Sequence, residues 1–565
     1  MELKDKLVHS LYENLSLASA KYGDHCLFAF NRKKADYEIT YTEFLHYAEA
    51  MVRGYIKLGL AGKRVAIIGE NSPEWIATYV AAITSGGVAV PIDVALSKEQ
   101  FVEFVKMAQC EVVAYSNTWA AYIEEHADEL EGVSTFIKLN DDVFDFKTAQ
   151  EYELERFFSA AKIAHTGNAV TDIAIPEQDA ERMSIMLFTS GTTGTSKIVM
   201  LCQKNICTVI NNARKPLKDI NEDDILLSVL PVHHTYELTC GIFTALDHGC
   251  KICINDSVKN VSRNIKKYRP TTMAVVPLYV EVFYNTIMKT VRKQGIEKKF
   301  EFALKLTKVA DKFHINLRKQ LFGKVMESFG GRLTKMICGG AALRPDLVDT
   351  FKTIGINICQ GYGITECAPL ISVVPIGVYN PKSCGLLVEN MQIRIDKENP
   401  DDNFGEIVVK GDNVMLGYYN NEQATKEVLS DDGWFRTGDY GYIDENNYIY
   451  ITGRKKNIIV LQDGKNVFPE EIEEYIGMIP HVAESIVVGR PKDNDLAITA
   501  LIYPNFEYTD SIGLKSKEEV YEVIREEINT MNRKIVGYKR VVAVEFVDEE
   551  FEKTPSKKIK RFLYK

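Results

Sequence analysis

The sequence of 565 residues lacks the features that mark membrane-spanning, secreted and low-complexity proteins. It has no apolar run of about 18 residues, the length that a membrane-spanning helix requires. The opening MELKDKLVHSLYENL has no apolar core of a secretory signal, and the final Leu563-Tyr564-Lys565 is not a peroxisomal address. Repeats and biased segments are also missing. We therefore expect a folded cytoplasmic protein.

An excess of basic residues and an ordered set of cysteines are lacking too. Lys and Arg number 68 against 78 Asp and Glu, a net charge of −10. This balance argues against nucleic acid as a partner, because phosphate-binding surfaces need excess base. The 11 cysteines show no paired spacing, which fits a reducing compartment. The CxxC from Cys250 to Cys253 lies in an apolar run without a second pair, so no zinc or redox site is expected.

What the sequence does contain is a recurring alternation of short apolar strands and helices. From Gly62 the chain reads strand, helix and strand, with Trp75, Tyr79 and Ile83 at helical spacing and the second strand ending at Pro91. Further strands are predicted at 184–190, 226–230, 250–254, 272–276, 335–339 and 356–359. This rhythm predicts an α/β fold with mainly parallel sheets.

Beyond about residue 400 the pattern changes to short strands separated by turns, as at 405–410 and 448–451. We interpret this stretch as a small β-rich subdomain at about 390–452. After it come elements of both kinds, predicted as a strand at 458–461, a helix at 470–479, two strands, a charged helix at 515–531 and a last strand at 541–547. This order predicts a separate α+β C-terminal domain.

The segment 297–327 is predicted to be helical, with an apolar stripe and many lysines. The stripe recurs at steps of three and four residues and consists of Phe302, Leu306, Val309, Phe313, Leu317, Leu321 and Val325. Eight basic residues against four acidic ones give the segment a charge of +4. A surface helix packed on the core is the simpler interpretation. Adsorption on an anionic membrane is the alternative, since basic amphipathic helices bind such surfaces.

The most informative motif for chemistry is Phe188-Thr-Ser-Gly-Thr-Thr-Gly-Thr-Ser-Lys197, which follows an apolar strand. Two glycines let successive backbone N–H groups converge on an anion, hydroxyls add donors and a lysine supplies positive charge. The motif therefore predicts a phosphate cradle, with Thr189, Ser190, Gly191, Thr192, Thr193, Gly194 and Lys197 as its candidate residues. It is not a mononucleotide P-loop, and the chain has no GxGxxG fingerprint.

Together with other segments, this motif resembles the adenylate-forming superfamily of acyl-CoA synthetases, aryl-CoA ligases, adenylation domains and luciferases. The similar segments occur in the family's order, at 188–197, 230–237, 338–342, 360–366, 405–419, 434–439, 453–469 and 553–561. The resemblance implies a large N-terminal domain over 1–452, in which helices cover two mainly parallel sheets. It also implies a hinge at 453–456 and a mobile C-terminal domain over 457–565.

The resemblance assigns roles to two glycine-containing segments of the large domain. Glu366 is the implied magnesium-associated acid, although Thr365 and Glu366 are locally just as typical of a helix start. Tyr362 offers a stacking face for a base. Besides the cradle, the implied ATP-binding residues are Gly340, Ala341, Gln360, Gly361, Tyr362, Gly363 and Thr365. The implied acyl pocket consists of His234, Gly339, Gly340 and Gly363, where absent side chains leave room.

The resemblance assigns further roles to residues closer to the C-terminus. By resemblance, Asp439 accepts hydrogen bonds from the ribose hydroxyls, Arg454 reaches the ribose or the phosphates, and Lys456 is the hinge. Lys558 is the implied catalytic lysine at the α-phosphate, with Lys557 as a weaker competitor. A basic tail that binds RNA or membrane is the alternative explanation for that segment. The loop around Gly464 is the implied thiol tunnel.

The resemblance implies a ligase that uses ATP, Mg²⁺ and coenzyme A. A carboxylic acid, by preference a medium- to long-chain fatty acid, would become an acyl-adenylate with release of pyrophosphate, and then an acyl-CoA with release of AMP. An acyl-AMP ligase that loads an acyl carrier protein is the nearest alternative. A luciferase-like monooxygenase and a non-catalytic membrane-binding protein are remote alternatives. Peripheral contact with the inner membrane face through 297–327 is a further hypothesis.

Overall fold

The computed structural model describes residues 6–139, 157–189, 196–462, 465–492, 495–514, 516–553 and 559–564. The α-helices α1 to α17 are Leu11–Tyr22, Tyr41–Lys57, Pro73–Thr84, Lys98–Met107, Asn117–His126, Ala160–Asn168, Gln203–Ala213, Thr244–Asp247, Val261–Tyr268, Pro277–Lys293, Glu297–Lys312, Arg318–Ser328, Pro345–Ile354, Glu422–Val428, Pro469–Gly477, Phe506–Ser511 and Lys517–Asn532. A π-helix spans Tyr236–Phe243.

The strands alternate with these helices through most of the chain. Strands β1 to β13 are Cys26–Arg32, Ala35–Thr40, Arg64–Ile68, Val88–Ile92, Val112–Tyr115, Thr135–Lys138, Phe157–Ser159, Met183–Thr189, Lys197–Cys202, Ile225–Ser228, Lys251–Ile254, Thr272–Val275 and Lys335–Cys338. Strands β14 to β26 are Asn357–Gly363, Leu370–Val373, Leu386–Leu387, Met391–Asp396, Gly405–Gly411, Gly417–Tyr418, Phe435–Ile443, Ile449–Arg454, Ile459–Val460, Asn466–Val467, Val482–Lys492, Asp495–Pro504 and Ala543–Phe546.

The chain divides into two units, one formed by 1–392 with 410–435 and the other by 393–409 with 436–565. The first unit contains a nine-stranded sheet in the order β16-β15-β14-β13-β12-β10-β11-β1-β2. Its strands from β14 to β1 run parallel, and β2, β15 and β16 extend the two edges antiparallel. The carboxyl ends of the parallel strands therefore meet at one edge, where loops of distant sequence can share a site.

The second sheet of the first unit has eight strands in the order β19-β9-β8-β4-β3-β5-β6-β7. It is parallel from β8 to β7, and β9 and β19 add an antiparallel edge. Helix α3 begins at a serine N-cap, Ser72, with Pro73 in its first turn, and all of its residues are buried. The helix is therefore covered on every side, and its one charged residue, Glu74, pairs with Arg32.

The second unit is built from smaller sheets. A four-stranded sheet, β17-β18-β20-β21, precedes the two-stranded β22-β23 and the three-stranded β24-β25-β26. Helices α15 and α17 bury Ile472, Ile476, Ile524 and Ile528 in a core that also contains Val487 of β24. The alternation of sheet and helix in this C-terminal part makes it α+β.

The fold class predicted from the sequence is confirmed as an α/β protein with a large N-terminal part and a smaller C-terminal part. The strand, helix and strand predicted from Gly62 are β3, α3 and β4, and the two strands pair in parallel. No helix among the described residues is long and apolar enough to cross a membrane. The predicted hinge at 453–456 and the mobility of the C-terminal domain stay predictions.

Two local predictions were wrong because strands extend further than their apolar residues. The strand predicted at 356–359 implies that the segment 360–366 follows it, but Gln360 to Gly363 form the second half of β14, next to β15. The sequence around 434–439 predicts Asp439 at the end of a strand, next to a turn, but it lies in the interior of β20, opposite Arg454 of β21. Polar and glycine residues carry no periodic apolar signal, and the partner strand keeps the backbone extended.

The segment 297–327 is not one helix but two, α11 and α12, separated at 313–317. Helix α11 packs on the core through Phe300, Ala303, Thr307 and Ala310, all of them buried. The predicted stripe is instead largely exposed, with Phe302 at 65% and Phe313 at 69%. The helix thus packs on the core, as expected, but through a different face.

Candidate functional site

The carboxyl ends of β13 and β14 bring two of the predicted glycine segments together. These strands pair in parallel with Cys338 opposite Gln360, so Gly339 lies beside Gly361. A Cβ on Gly339 would lie 3.5 Å from the Gly361 carbonyl oxygen, and one on Gly363 would lie 1.9 Å from the Pro369 carbonyl oxygen. No side chain fits at Gly363. Gly363 is therefore required by the close approach of the Pro369 backbone, whereas a Cβ on Gly339 would lie mainly against the Tyr236 ring.

Tyr236 connects the histidine segment to the same strand ends. Its hydroxyl donates to the Ile337 carbonyl oxygen at 2.7 Å and lies 3.2 Å from that of Val275. Its ring lies 3.3 Å from the position that a Cβ of Gly339 would take. The sequence analysis did not single out Tyr236, although it lies within the 230–237 segment. A partly buried aromatic residue with one polar end is suited to such bridging.

Glu366 and Lys197, predicted as the metal-associated acid and the cradle lysine, come together around Tyr418. The Tyr418 hydroxyl donates to Glu366 Oε1 at 2.9 Å. Lys197 Nζ lies 4.7 Å from the centre of the Tyr418 ring, within the range of a cation–π contact. Burial, followed by the Glu366 carboxylate, raises the pKa of Tyr418, so its phenol stays a neutral donor. Tyr418 was missed by the sequence analysis.

Strand pairing explains how these residues meet. Tyr418 of β19 lies opposite Val199 of β9, the strand that begins at Lys197. The Met415 amide donates to the Glu366 carbonyl oxygen at 2.8 Å, which ties the loop before β19 to the Glu366 backbone. A segment from 415 to 418 thus holds both the acid and the lysine in place.

The cradle itself lies mostly outside the described residues. Thr189 ends β8 and pairs with Lys197 at the start of β9, so the two ends of the cradle are neighbours across a hairpin. The residues between them that were predicted to bind phosphate, Ser190, Gly191, Thr192, Thr193 and Gly194, are not described. Their assignment stays a prediction.

The histidine segment at 230–237 contains a buried acid, Glu237, besides the predicted residue His234. His234 is exposed, and its ring centre lies 4.1 Å from that of His233, whose pKa is lowered by burial and then by His234. Glu237, in the π-helix, is fully buried and accepts a hydrogen bond from Ser228. Burial raises the pKa of Glu237 to about 8, so it is protonated at neutral pH. The sequence analysis did not single out Glu237, and a π-helix often marks a functional position.

The remaining predicted ATP contacts of the first unit differ in exposure. Gln360 donates from Nε2 to the carbonyl oxygens of Pro381 at 2.9 Å and Ser383 at 3.2 Å, so its amide is used in holding a loop. Tyr362 is only 6% exposed. Gly340, at φ +87°, and Ala341 are exposed, and Thr365 is partly exposed at the start of a short 3-10 helix. The left-handed backbone at Gly340 favours glycine.

In the second unit, Asp439 and Arg454 form an ion pair across the β20-β21 ladder. Arg454 Nε lies 2.7 Å from Asp439 Oδ1, and the two side chains are 42% and 4% exposed. The Asp439 amide donates to Thr437 Oγ1 at 3.0 Å, and the Thr437 hydroxyl donates to the Ile407 carbonyl oxygen at 2.8 Å. The two residues that the resemblance assigns to the nucleotide thus lie opposite each other on adjacent strands, and their roles stay predictions.

Four other predicted residues of the second unit are less informative. Lys456 lies exposed in a 3-10 helix directly after β21. Gly464, Lys557 and Lys558 lie outside the described residues. The segment that holds the two lysines is flanked by a bridge between Lys553 and Ile559.

The oxygen ligands at Glu366 suit a cation that arrives with phosphate. Mg²⁺ is usually held by one or two carboxylates and by substrate phosphates, with water completing its shell. Glu366 offers one partly exposed carboxylate, and its hydrogen-bond partner Tyr418 is neutral. Within the described part of the chain, no group of three or more His, Cys, Asp or Glu residues forms a cage. The residues present therefore fit a phosphate-associated Mg²⁺.

Known proteins with similar sequences cover most of the chain. The chain is 28% identical over 487 residues to the long-chain-fatty-acid–CoA ligase ACSBG2 of Rattus norvegicus, with 81% of this chain and 72% of that protein covered. It is 28% identical over 555 residues to the long-chain-fatty-acid–CoA ligase FadD15 of Mycobacterium bovis, with 93% and 90% covered.

Solved structures with the same fold include two adenylate-related proteins. The anthranilate CoA ligase AuaEII in complex with anthranoyl-AMP matches with a TM-score of 0.77 at 18% identity, covering 100% of this chain and 98% of that one. The adenylation domain of a carboxylate reductase from Mycobacterium chelonae matches with a TM-score of 0.78 at 19% identity, covering 99% and 90%. At these identities the likeness shows the fold.

The family itself is shown by sequence models. The sequence model of the AMP-binding enzyme family matches residues 16–419. The model of the AMP-binding enzyme C-terminal domain matches residues 456–563. Because the first match alone extends over more than half of the 565 residues, the chain belongs to the AMP-binding enzyme family, the adenylate-forming superfamily that its motifs resemble.

Proposed function

We propose that the protein activates a medium- to long-chain fatty acid with ATP and transfers the acyl group to coenzyme A. A carboxylate oxygen attacks the α-phosphorus, the bond to pyrophosphate breaks, and the acyl-adenylate forms. The thiolate of coenzyme A then attacks the acyl carbon and AMP leaves. The observation that carries this proposal is the convergence of Lys197 and Glu366 on Tyr418, a cation and an acid placed for one polyphosphate.

The first unit supplies the groups for the phosphates and the acid. We assign residues 189–197 to the β- and γ-phosphates, because a lysine and many donors offset their charge. Glu366 holds the Mg²⁺, which, when bound, withdraws charge from the phosphate oxygens. Positioning and charge compensation of this kind are what phosphoryl chemistry needs most. The acid is assigned to His234, Gly339, Gly340 and Gly363, as the resemblance implies.

The second unit supplies the groups for the ribose and the reacting phosphorus. We assign Asp439 and Arg454 to the ribose hydroxyls and Lys558 to the charge that develops at the α-phosphate. By family resemblance, the C-terminal domain rotates about Lys456 after the adenylate has formed. This rotation withdraws Lys558 and presents the loop around Gly464 for transfer to the thiol. These roles rest on the motifs, and the Asp439–Arg454 pair supports them by placing both groups on adjacent strands.

The fatty-acid class and the acceptor rest on the relatives. Two curated relatives are named long-chain-fatty-acid–CoA ligases, at 28% identity each. The tail from Lys553 to Arg561 resembles that of long-chain acyl-CoA synthetases. A cytoplasmic location is part of the proposal, since coenzyme A and ATP are available there. An acyl carrier protein remains the alternative acceptor.

A panel of carboxylic acids of graded length tests this proposal, with pyrophosphate release as the readout. We expect the highest rate with medium- to long-chain fatty acids and repeated turnover only when coenzyme A is present. Lys558→Ala should lower adenylate formation roughly 100-fold or more while sparing transfer from preformed acyl-adenylate. Lys557→Ala is the matched control and should stay near the unmodified protein.

Three outcomes would contradict the proposal. Turnover on a holo-carrier protein but not on coenzyme A would make the protein an acyl-AMP ligase. Oxygen consumption without any thiol would make it a monooxygenase. A preference for aromatic or very short acids would overturn the fatty-acid assignment while leaving adenylation intact.

A further inference from the structure

We propose that the outer surface of helices α11 and α12 binds an anionic lipid membrane. This α11–α12 surface is defined by six exposed apolar side chains, Phe302, Leu306, Val309, Phe313, Ile315 and Leu321. It is independent of the proposed reaction, because membrane binding requires neither ATP nor an acid. The arguments concern the exposure of the surface, its charge and the partner that fits both.

Exposure on this scale is unusual for large apolar side chains. Phe302, Val309 and Phe313 are 65%, 53% and 69% exposed. Along α11 the residues Phe302, Leu306 and Val309 recur on successive turns, so they form a continuous stripe. The buried face of the helix uses other residues, with Ala303 and Ala310 packed inward. Contiguous exposed apolar surface of this kind marks an interaction site more often than scattered single residues do.

Basic residues border the stripe. Lys298, Lys305 and Lys312 are spaced seven residues apart, which is about two helical turns, so they form a row along α11. Each lies three or four residues from Phe302 or Val309, and hence next to the stripe. None of the three has an ion-pair partner within the ranges that the structure describes, whereas Lys308 pairs with Asp349.

The sign of the charge selects the partner. Helices α11 and α12 carry eight basic and four acidic residues, a net charge of +4 in a chain whose total is −10. A second copy of this chain, docked on the same surface, would oppose two positive patches across the apolar contact. An anionic membrane instead receives the apolar side chains in its interface and attracts the lysines to its headgroups. Charge complementarity thus favours lipid over self-association.

Sedimentation with vesicles tests the proposal on the full-length protein without ATP. We expect binding to vesicles of equimolar phosphatidylcholine and phosphatidylglycerol, little binding to phosphatidylcholine alone, and weaker binding at high salt. Replacing Lys298, Lys305 and Lys312 together by Gln should lower the partition coefficient by roughly 100-fold, since each lysine near an anionic surface contributes about a fivefold factor. Phe302→Ser with Val309→Ser should lower binding at both salt concentrations.

Two control variants make the result specific. Lys57→Gln, Lys106→Gln and Lys426→Gln change the net charge by the same amount on other helices and should leave binding unchanged. Val536→Ser with Val542→Ser removes exposed apolar side chains of the C-terminal unit and should also have no effect. All variants should unfold at the temperature of the unmodified protein, because every position is on the surface.

The proposal is overturned if the unmodified protein does not bind anionic vesicles. It is equally overturned if the control variants lose as much binding as the α11 variants. It is also overturned if the protein forms a dimer that Phe302→Ser with Val309→Ser dissociates while vesicle binding is absent. That result would assign the surface to a second copy. Failure of acyl-CoA synthesis with vesicle binding intact would leave this proposal standing and refute only the proposed function.

Discussion

Two acidic side chains, Glu366 in the first unit and Asp439 in the second, are held in opposite ways. Glu366 accepts a hydrogen bond from the neutral phenol of Tyr418 at 2.9 Å. Asp439 lies 2.7 Å from the guanidinium of Arg454. A neutral donor orients a carboxylate and leaves its charge in place, whereas a guanidinium compensates that charge. The first arrangement suits an acid that must attract a cation, and the second suits an acid that must accept hydrogen bonds.

Burial explains why the two partners differ. The Asp439 side chain is 4% exposed, and an isolated carboxylate at that depth would be costly. Its Arg454 partner, at 42% exposure, supplies the compensating charge from the surface. Glu366 is partly exposed, so water stabilises its charge. The comparison therefore predicts that removing the charge matters at Glu366, and that removing hydrogen-bonding capacity matters at Asp439.

Glu366→Gln should have the largest effect of the changes considered. The amide oxygen still accepts from Tyr418, so the fold is kept while the charge that attracts Mg²⁺ is lost. We expect a fall of roughly 100- to 1000-fold in ATP–pyrophosphate exchange, the range seen when one preorganised electrostatic group is removed. Titration with Mg²⁺ is the second measurement, and the variant should need a higher concentration for half-maximal rate.

Tyr418→Phe sharpens the same comparison, because it keeps the charge of Glu366 and removes only its orientation. Its loss should be smaller, about tenfold, and should not shift the Mg²⁺ requirement. Glu427→Gln, on the exposed face of α14, is the matched control for the loss of a negative charge. Equal losses in Glu366→Gln and Tyr418→Phe would mean that geometry, and not charge, is what Glu366 contributes.

Asp439→Asn should have the next largest effect, and it should appear in the KM for ATP. The asparagine keeps one acceptor oxygen but cannot accept two charge-assisted hydrogen bonds from neighbouring ribose hydroxyls. Bonds of this type are worth about 1.5–3 kcal/mol each, so a rise of about 10- to 100-fold in KM is expected. Steady-state kinetics with varied ATP at saturating acid provide the measurement.

Asp401→Asn, at an exposed position of the same unit, is the control and should change neither constant. A fall in kcat with KM unchanged would contradict the ribose assignment, since it would mean that Asp439 acts only in the transition state. A deoxyribose analogue of ATP gives an independent check, because the variant should discriminate less against it than the unmodified protein does.

Local patterns were sufficient to predict the parallel strands but not the partners of the site residues. The strand, helix and strand from Gly62 could be predicted because apolar spacing within a short window determines each element. The contact of Tyr418 with Glu366 could not be predicted in this way, because it depends on the pairing of β19 with β9, more than 200 residues away in sequence. The segment 405–419 was recognised as similar to the family, which was the one signal that pointed to it.

Helix α11 shows a different limit. Its large apolar residues repeat with helical spacing, and so does a second set containing Ala303, Thr307 and Ala310. Periodicity identifies the helix but does not decide between two such faces when one carries small residues. Small side chains allow close approach of a neighbouring helix, and α11 packs against α10 and α13. Which face is buried is therefore decided by the neighbours.

A third acid, Glu237, extends the comparison to a carboxyl group that is fully buried and forms no ion pair within the described part of the chain. It accepts hydrogen bonds from Ser228 and from the backbone of Leu230, and burial raises its pKa to about 8. In the unfolded chain the same group has its ordinary pKa of 4.5. The folded state therefore keeps a proton that the unfolded state releases at neutral pH. The contribution of this proton to the free energy of unfolding is fully present below about pH 4.5. It is lost as the pH rises through about 8.

Glu237→Gln removes this titration. Of the changes at the three acids, it should have the smallest effect. Between about pH 7 and about pH 8 the unmodified protein should lose about 1 kcal/mol of unfolding free energy more than the variant does. Denaturant unfolding of both proteins at each pH provides the measurement, with Glu427→Gln as a variant that should keep the slope of the unmodified protein. If instead the stability of Glu237→Gln fell in parallel with that of the unmodified protein, Glu237 would be ionised in the fold. The first unit would then stabilise a buried charge with neutral donors alone, and the distinction between charged and neutral donors drawn from Glu366 and Asp439 would lose its basis.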